Sequence, residues 1–496
     1  MNNKQKKANP KRILFAVSEV YPLIKTGGLA DVACYLPITL ASQGFDIRIV
    51  LPAYRCVMER VEDIKASKEI SIPEIDSEIR ILKTKLPDNQ IPILLVDIPE
   101  LFDRPGGPYQ DPDNNNWPDN AHRFAIFCRV IRLIALNRAG LRWRPDLVHC
   151  NDWHTGLVPA LMLDDVQRPA TVFTIHNLAY QGDFSYETFK YLKLPDSFWS
   201  PDALEFYGRF SFIKGSLTFA DRLVTVSPEY AQEITTAEFG YGMEDLLQHR
   251  ADSLVGILNG AGYRIWDPRY DPMIKQHYWL HTLEDKIINK RQLQLDLGLH
   301  ENSNVILLAY ISRLTRQKGI DIILGSLTEL LREDDVQLVI LGTGESHYEK
   351  ALHEVAGSYG DRLAIVLDYN EVLAHKIQAG ADMLLMPSRY EPCGLTQLYS
   401  LRYGTIPIVR NTGGLKDTIV DANSETMKNK TATGFKFKKA SPDEFLDSTH
   451  RALKMYRSGG KWRQMIITAM QQDFNWADRA KEYASIYLNV IQERTD

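Results

Sequence analysis

Short apolar runs alternate with helical stretches along almost the whole chain, in two successive series. Alternation of this kind indicates parallel strands joined by right-handed helical crossovers. The expected strands of the first series are 13–17, 47–51, 91–98, 147–150, 171–175 and 223–226, and those of the second are 305–311, 338–341, 363–367, 383–386 and 406–409. Helical spacing fills the intervals, for example at 29–40, 121–138, 208–219, 320–332 and 347–358. We therefore expect an α/β protein.

The alternation breaks at NGAGYRIWDPRYDP (259–272), where we place the domain boundary, and resumes with a charged helical stretch at 283–297. At 496 residues the chain is also too long for one ordinary core. We predict two doubly wound, Rossmann-like domains, 13–262 and 263–475, which face each other across a deep cleft. A basic tail (1–12) precedes them. The helix expected in the last segment (476–496) has an apolar stripe that needs a packing partner, and one option is that it crosses back to the first domain.

Composition argues against several classes of function. The net charge of −5 disfavours nucleic acid or an anionic membrane as the main partner. The five cysteines form no CxxC pair, so neither a zinc site nor a disulfide framework is expected. The apolar run after the basic tail is too short for a signal peptide or a membrane span. We expect a cytoplasmic protein.

The stretch 387–418 contains the strongest candidate for a reactive site. An apolar run ends at Pro387, a loop carries Glu391, and a helical stretch begins near Leu395. A carboxylate beside a helix N-terminus can orient a sugar through its hydroxyls, or stabilise a positive, oxocarbenium-like centre. The alternative is a glutamate that only offsets the helix dipole. Cys393 is as readily a packing residue as a reactive thiol.

The first strand of each series is followed by a loop with basic residues. Arg313 and Lys318 lie five residues apart in SRLTRQKG, where they could clamp a diphosphate or simply begin a charged helix. Lys25 precedes Gly27 and Gly28, a turn that could bring backbone N–H groups close to a phosphate or a sugar. Glycine turns have many structural uses, so this pattern alone is weak.

Two histidines follow expected strands of the first series. His176 precedes Asn177 at the end of TVFTIH, and His154 lies in NDWHTGL. Histidines in such places are commonly structural, but at the carboxyl edge of a sheet they could bind a sugar hydroxyl or stabilise developing charge. A short repeat, GGLAD at 27–31 and GGLKD at 413–417, follows a strand and opens a helix in both series, which supports two related halves.

Taken together, these motifs resemble the retaining two-domain glycosyltransferases of the bacterial glycogen synthase and plant starch synthase type. The matching segments are KTGGLADV (25–32), NDWHTGLVPAL (151–161), TIHNLAYQG (174–182), FADRLVTVSPEYAQEI (219–234), GILNG (256–260), SRLTRQKG (312–319) and PSRYEPCGLTQL (387–398), followed by RNTGGLKDT (410–418). The resemblance implies the GT-B architecture and transfer of glucose from ADP-glucose to the nonreducing end of an α-1,4-glucan such as glycogen. It also implies retention at the anomeric carbon, with neither a metal nor another cofactor.

The resemblance assigns roles to individual residues. Glu391 would hold the sugar, and Arg313 with Lys318 would neutralise the diphosphate. His176 would lie beside the glucosyl unit. The substrate-binding residues that it implies are Lys25, Gly27, Gly28, Asp31, Asn177 and Asn259 in the first domain, which takes the acceptor glucan, and Cys393, Gly394, Leu395 and Thr396 in the second, which takes the nucleotide sugar.

We favour a front-face mechanism in which the departing ADP oxygen accepts the proton of the incoming hydroxyl. A double displacement would need Glu391 as the nucleophile and is the alternative. Three departures from the family pattern matter. Tyr399 stands eight positions after Glu391, where many related transferases carry a second glutamate, and Gly262 replaces the usual aspartate. A plastid transit sequence is also absent, so we expect a bacterial enzyme.

Other functions stay open at this stage. One is a retaining transferase that uses UDP-glucose or makes a small glucoside. Another is an inactive glucan-binding or regulatory protein, against which the intact Lys25, Arg313, Lys318 and Glu391 argue. A nicotinamide-dependent dehydrogenase is disfavoured because neither series has a GxGxxG turn followed by an acidic residue. Oligomeric state, allosteric control and glucan length are not readable from the sequence.

Overall fold

The computed structural model describes residues 9–113, 115–332 and 335–495, so most of the predicted basic tail lies outside the described residues. The chain divides into two compact units. The first comprises the chain up to Val226, Ala231–Gly260 and the C-terminal residues from Trp476 onwards. The second comprises Ser227–Tyr230 and Ala261–Asn475. The final helix therefore belongs to the first unit, although it follows the second in sequence.

The first unit is built on a nine-stranded sheet in the order β12-β11-β7-β6-β1-β2-β5-β4-β3. The chain between β7 and β11 forms a separate three-stranded sheet in the order β8-β10-β9. The strands are β1 (Arg12–Ala16), β2 (Asp46–Pro52), β3 (Lys65–Ile72), β4 (Ile75–Lys85), β5 (Pro92–Asp97), β6 (Leu147–Asn151), β7 (Ala170–Ile175), β8 (Asp183–Phe184), β9 (Glu205–Phe206), β10 (Arg209–Ser211), β11 (Arg222–Thr225) and β12 (Leu254–Gly256). All pairs from β12 to β5 are parallel, and β4 and β3 are antiparallel.

The second unit has a six-stranded sheet in the order β15-β14-β13-β16-β17-β18, and every pair in it is parallel. Its strands are β13 (Ile306–Ile311), β14 (Val336–Leu341), β15 (Leu363–Val366), β16 (Met383–Met386), β17 (Ile406–Arg410) and β18 (Phe435–Phe437). Strands β14 and β16 are buried along their whole length, as expected for parallel strands covered on both faces.

Helices connect most of these strands. They are α1 (Gly28–Ser42), α2 (Arg55–Met58), α3 (Pro99–Phe102), α4 (Asn120–Ala135), α5 (Val158–Leu161), α6 (Tyr186–Tyr191), α7 (Phe212–Phe219), α8 (Pro228–Glu233), α9 (Glu244–His249), α10 (Lys286–Asp296), α11 (Ile320–Leu330), α12 (Ser346–Val355), α13 (Glu371–Gly380), α14 (Thr396–Tyr403), α15 (Gly413–Thr418), α16 (Ser424–Lys428), α17 (Pro442–Tyr456), α18 (Gly460–Met470) and α19 (Trp476–Thr495). The expected α/β class with two parallel-sheet domains is confirmed.

Both sheets have a topological switch point, where the strand order reverses. In the first unit the chain moves from β1 towards β5 and then returns to place β6 on the other side of β1. In the second unit it moves from β13 towards β15 and returns with β16. The loops that leave two such strands diverge at the carboxyl edge of the sheet, and ligands bind there in folds of this type. Functional side chains are therefore expected at these two switch points.

The sequence prediction was wrong in two local features. The helix expected at 208–219 begins only at Phe212, because Arg209–Ser211 pairs with β8 and β9 as strand β10. Gly208 turns the chain with a φ of 76°, and the Ser211 side chain accepts a hydrogen bond from Lys214 N to begin α7. The first sheet also carries the antiparallel hairpin β3–β4, in which β4 alternates between partly buried and exposed residues near its start.

Candidate active site

Lys318 and Glu391 meet at the switch point of the second sheet. Lys318 ends a short 3-10 turn after β13, and Glu391 lies in the loop after β16. The Lys318 Nζ donates to Glu391 Oε2 at 2.5 Å, with 17% and 5% of the two side chains exposed. The structure thus brings together two of the predicted catalytic residues, which are 73 positions apart in sequence.

The loop around Glu391 is held from several directions. Ser388 Oγ donates to Glu391 Oε2 at 3.0 Å, and Gly414 N donates to the Glu391 carbonyl at 3.0 Å. Gln397 Nε2 donates to the carbonyls of Cys393 and Gly394 at 2.9 and 3.1 Å. Hydrogen bonds to the loop backbone therefore help to fix the Glu391 side chain, in addition to the bond from Lys318.

Two glycines allow the loops to approach this closely. A Cβ at Gly319, where φ is 72°, would lie 2.2 Å from the Pro387 carbonyl oxygen. A Cβ at Gly414 would lie 2.2 Å from the Cys393 carbonyl oxygen. Neither distance is possible for real atoms, so the glycines of SRLTRQKG and NTGGLKD are required by packing against the Glu391 loop.

The other predicted residues of the second unit surround this pair less closely. Arg313 lies in the same loop as Lys318, and its side chain is exposed. Cys393 is buried, which fits a packing role. Gly394 has a φ of 74°, and Leu395 and Thr396 form the N-cap and first residue of α14.

Lys25 and Asp31 pair at the switch point of the first sheet. The Lys25 Nζ lies 3.0 Å from Asp31 Oδ1, in the first turn of α1. Gly27 caps this helix without any heavy atom within 4 Å of where its Cβ would stand, so no protein atom requires glycine there. Gly28 is the first residue of the helix. Open space beside Gly27 is what close approach of a ligand to the backbone would need.

Buried Glu19 shapes the loop that carries Lys25. It accepts hydrogen bonds from Thr26 N at 2.5 Å, from Thr26 Oγ1 at 3.0 Å and from Gly27 N at 3.3 Å. Burial raises the pKa of Glu19, and these hydrogen bonds act in the opposite direction. Tyr109, from the long loop after α3, adds a further donor at 3.2 Å. Glu19 was not predicted from the sequence, because its donors, two backbone N–H groups and the hydroxyls of Thr26 and Tyr109, form no recognisable motif.

His176 lies at the carboxyl end of β7 and is held by the loop after β6. Its backbone N donates to Asp152 Oδ1 at 2.8 Å, and its Nε2 lies 2.9 Å from Asn151 Oδ1. Burial lowers the pKa of His176 to about 3, so the ring is neutral at pH 7. Asn151 Nδ2 donates to Ala16 O at 3.1 Å, which leaves its Oδ1 as the acceptor and places the His176 proton on Nε2.

Asp152 is a second functional candidate that sequence reasoning missed. It has a φ of 54°, and its Oδ1 also accepts from Asn177 N at 3.4 Å. Burial raises its pKa to about 7, against the effect of these backbone hydrogen bonds. A signal existed in the sequence: an Asn-Asp pair directly after a buried strand, where the chain must turn.

The side chains of the remaining candidates of the first unit have other partners. His154 is buried, lies 3.1 Å from Ser18 Oγ through Nδ1 and stacks on Tyr109. Asn177 uses its side chain in a local turn, accepting from Ala179 N at 3.1 Å. Asn259 is 4% exposed, and no donor among the described residues reaches its Oδ1.

The described residues contain neither a candidate metal-binding cluster nor a candidate membrane-spanning helix. Across 9–113, 115–332 and 335–495, no group of three or more His, Cys, Asp or Glu side chains could hold a metal ion. Over the same ranges, no helix has both the length and the apolar character needed to cross a membrane.

Comparison with known proteins identifies the family. Residues 12–249 match the starch synthase catalytic domain, and residues 294–472 match the glycosyl transferases of group 1. The chain is 50% identical to glycogen synthase 2 of Nitrosococcus oceani over 97% of its own length and 98% of that protein. The chain belongs to the glycogen and starch synthase family. A glycogen synthase of Cellvibrio japonicus is also 50% identical, over 96% of this chain and 99% of that relative.

Solved structures agree with membership of the glycogen and starch synthase family. The catalytic domain of starch synthase IV from Arabidopsis thaliana, bound to ADP and acarbose, superposes with a TM-score of 0.89 at 31% identity and covers 98% of this chain and all of that one. Sucrose-phosphate synthase from Thermosynechococcus elongatus shares the fold, with a TM-score of 0.62 at 15% identity over 97% of this chain and 100% of that chain. The protein is a glycosyltransferase of GT-B type that transfers glucosyl units.

Proposed function

We propose that this glycosyltransferase transfers glucose from ADP-glucose to the nonreducing 4-hydroxyl of an α-1,4-glucan, with retention of configuration and without a metal. The observation that carries the proposal is the Lys318–Glu391 pair at the switch point of the second sheet. In this proposal the first unit binds the acceptor glucan, the second binds the nucleotide sugar, and the enzyme works in the cytoplasm.

The charges of the second unit suit a nucleoside diphosphate. Lys318 pairs with the Glu391 carboxylate, and exposed Arg313 adds a cation in the same loop. A diphosphate brings two negative charges, which both side chains can neutralise, Arg313 in bidentate fashion and Lys318 as a point charge. Glu391 then accepts hydrogen bonds from sugar hydroxyls and stabilises positive charge near the anomeric carbon.

The chemistry proceeds on one face of the sugar. The bond from the anomeric carbon to the diphosphate oxygen breaks, the bond to the acceptor oxygen forms, and the acceptor proton passes to the departing phosphate oxygen. Tyr399 cannot supply a second carboxylate, and its ring is buried against Trp266 with centroids 4.3 Å apart. Glu391 therefore positions and stabilises, while Lys318 and Arg313 stabilise the leaving group.

The first-unit residues keep the roles that the family resemblance implies. Lys25, oriented by Asp31, contacts the donor, and neutral His176 lies beside the glucosyl unit. A neutral imidazole suits this role because it adds no positive charge beside a centre that itself becomes positive. Asn151 fixes the ring through Nε2, which leaves Nδ1 as the atom that can accept a hydrogen bond from a sugar hydroxyl.

The test is a transfer assay with labelled donor. The protein is incubated with labelled ADP-glucose or UDP-glucose, with and without glycogen, in the presence of a chelator. We expect label in polymer from ADP-glucose under chelation, and loss of at least about 100-fold in kcat for Glu391→Gln. Asp335→Asn, which alters an exposed carboxylate paired with Arg457 in the same unit, is the control and should behave as wild type.

Each alternative has its own result in the same assay. Preference for UDP-glucose, or label in a small glucoside, would replace the proposed donor or acceptor. Glucan binding without transfer from either donor would make the chain a binding protein and overturn the proposal. A glycosyl adduct trapped on Glu391 in a slowed variant would favour double displacement over the front-face mechanism.

A further inference from the structure

Three aromatic rings of the second unit form a stack, and one of them belongs to α14, the helix that follows the Glu391 loop. The Trp266 ring lies between His375, at a centroid distance of 3.5 Å, and Tyr399, at 4.3 Å, with interplanar angles of 16° and 6°. All three side chains are buried. They come from the segment after Gly260, from α13 and from α14, so the stack ties three parts of the unit together.

Asp271 joins the same elements by hydrogen bonds. Its Oδ2 accepts from His375 Nδ1 at 2.7 Å and from Tyr403 Oη at 2.5 Å, and its Oδ1 accepts from Met273 N at 2.9 Å. Asp271 is 1% exposed and His375 is 0% exposed. Three donors converging on one buried carboxylate fix it in a single orientation.

Helix α14 receives several contacts from this arrangement. Tyr399 and Tyr403 lie one turn apart on one face of the helix. The segment also reaches α14 through Asp267, whose Oδ2 accepts from Arg402 Nη2 at 2.7 Å, and through Tyr278, whose hydroxyl donates to the Tyr403 carbonyl at 2.7 Å. Residues that do not belong to the sheet, such as Asp267 and Tyr278, thus help to set the position of α14.

Helix α14 in turn carries the Glu391 loop. It begins at Thr396, directly after that loop, and its second residue Gln397 donates to the Cys393 and Gly394 carbonyls. Gln378 Nε2 of α13 donates to the Thr396 carbonyl at 3.1 Å. A displacement of α14 therefore moves the backbone of the loop that aims Glu391 at Lys318.

We propose that Trp266, Asp271, His375, Tyr399 and Tyr403 form a brace that positions α14 and, through it, Glu391 for glucosyl transfer. The brace residues are positioning residues and do not touch substrate. The inference rests on the proposed function, because it assigns the brace a role in that reaction. Misplacing a reacting group by about 1 Å can cost on the order of 100-fold in rate, so a packed support distant from the chemistry can control it.

Asp271→Asn and Tyr403→Phe test the brace. Asp271→Asn keeps the shape but removes the charge, and we expect kcat to fall about 10- to 100-fold with KM for ADP-glucose changed less than about threefold. Tyr403→Phe removes only one donor, is expected to fold, and should lower kcat about threefold or more. Asp296→Asn is the matched control, because Asp296 pairs with Lys376, the neighbour of His375, at 2.7 Å on the surface.

A double mutant distinguishes positioning from general destabilisation. If the brace acts through Glu391, Asp271→Asn combined with Glu391→Gln is no slower than Glu391→Gln alone. Losses that multiply, a loss that disappears after correction for the folded fraction, or wild-type kcat in both brace variants would overturn the inference. Failure of the wild-type protein to transfer glucose would overturn the proposed function and the inference with it, whereas an active wild type with unaffected variants overturns the inference alone.

Discussion

At the scale of single residues, the Lys318–Glu391 pair is expected to contribute both to stability and to the proposed catalysis. Glu391 is 4% exposed, and its carboxylate accepts from the ammonium of Lys318 and the hydroxyl of Ser388. The same lysine is expected to change partner when a diphosphate binds. In the proposed function, the cation that neutralises the diphosphate is therefore one that already pairs with a buried carboxylate in the fold.

Lys318→Ala should destabilise the second unit by about 2 kcal/mol, because it leaves a buried carboxylate without its charge partner. Adding Glu391→Gln should recover most of this loss. Urea unfolding of the two single variants and the double variant measures the coupling. Arg457→Ala removes an exposed partner of Asp335 and should cost less than about 1 kcal/mol. Strictly additive losses at Lys318 and Glu391 would contradict the prediction.

Asp152 and His176 give the first unit two opposing dependences on pH. The pKa of Asp152 rises on folding from 3.8 to about 7, so between these values the folded chain holds a proton that the unfolded chain has released. Its contribution to the free energy of unfolding falls as pH rises. The pKa of His176 falls from 6.5 to about 3, so its contribution rises with pH over that range.

Asp152→Asn should remove the contribution of Asp152 to the pH dependence of the free energy of unfolding and leave that of His176. The free energy of unfolding of the variant should increase relative to wild type by about 1 kcal/mol for each pH unit between about 4 and 7. Urea titrations across this range measure the difference. Asp196→Asn changes an exposed carboxylate of the same unit and should run parallel to wild type. Parallel curves for Asp152→Asn itself would mean that Asp152 does not hold its proton in the folded chain.

At the scale of secondary structure, sequence patterns predicted the buried parallel strands and missed the pieces at the edges. Strands such as β14 and β16 are continuous apolar runs because both faces are covered. Strand β4 carries exposed residues between its apolar ones, so it lacks the continuous apolar run of a strand covered on both faces. Strands β8, β9 and β10 have only two or three residues each and are too short to show a periodicity. Proximity of Lys318 and Glu391 was predictable because both follow strands that the topology makes neighbours.

Gly27, the first glycine of one repeat, and Gly414, the second glycine of the other, differ in packing. A Cβ at Gly414 would overlap the Cys393 carbonyl, whereas a Cβ at Gly27 would meet no protein atom within 4 Å. Gly414→Ala should therefore destabilise the second unit by about 1–3 kcal/mol. Gly27→Ala should change stability by less than about 0.5 kcal/mol, so any lost activity would come from ligand binding. Thermal unfolding and kcat/KM together measure both; a large loss of stability in Gly27→Ala would contradict the packing argument.

At the scale of the whole molecule, the chain order and the division into units do not coincide. The two-domain organisation follows from the break in alternation, but the place of the final helix does not. An apolar stripe indicates that α19 packs against another element, but it does not identify that element. Helix α19 packs against α1 and β7 of the first unit. The Tyr487 hydroxyl forms a hydrogen bond of 2.6 Å with His149 Nδ1.

A core substitution in α19 should consequently weaken the unit at the other end of the chain. Tyr487 is fully buried, and Tyr487→Ala should cost about 3–5 kcal/mol by leaving a cavity beside His149. Hydrogen exchange measured by mass spectrometry should show lost protection in peptides of the first unit, including β6 and β7, and unchanged protection in β13 and β16. Phe445→Ala, in the core of the second unit, should give the reverse pattern. Uniform loss of protection in both variants would mean that the two units unfold as one cooperative body, despite their separate cores.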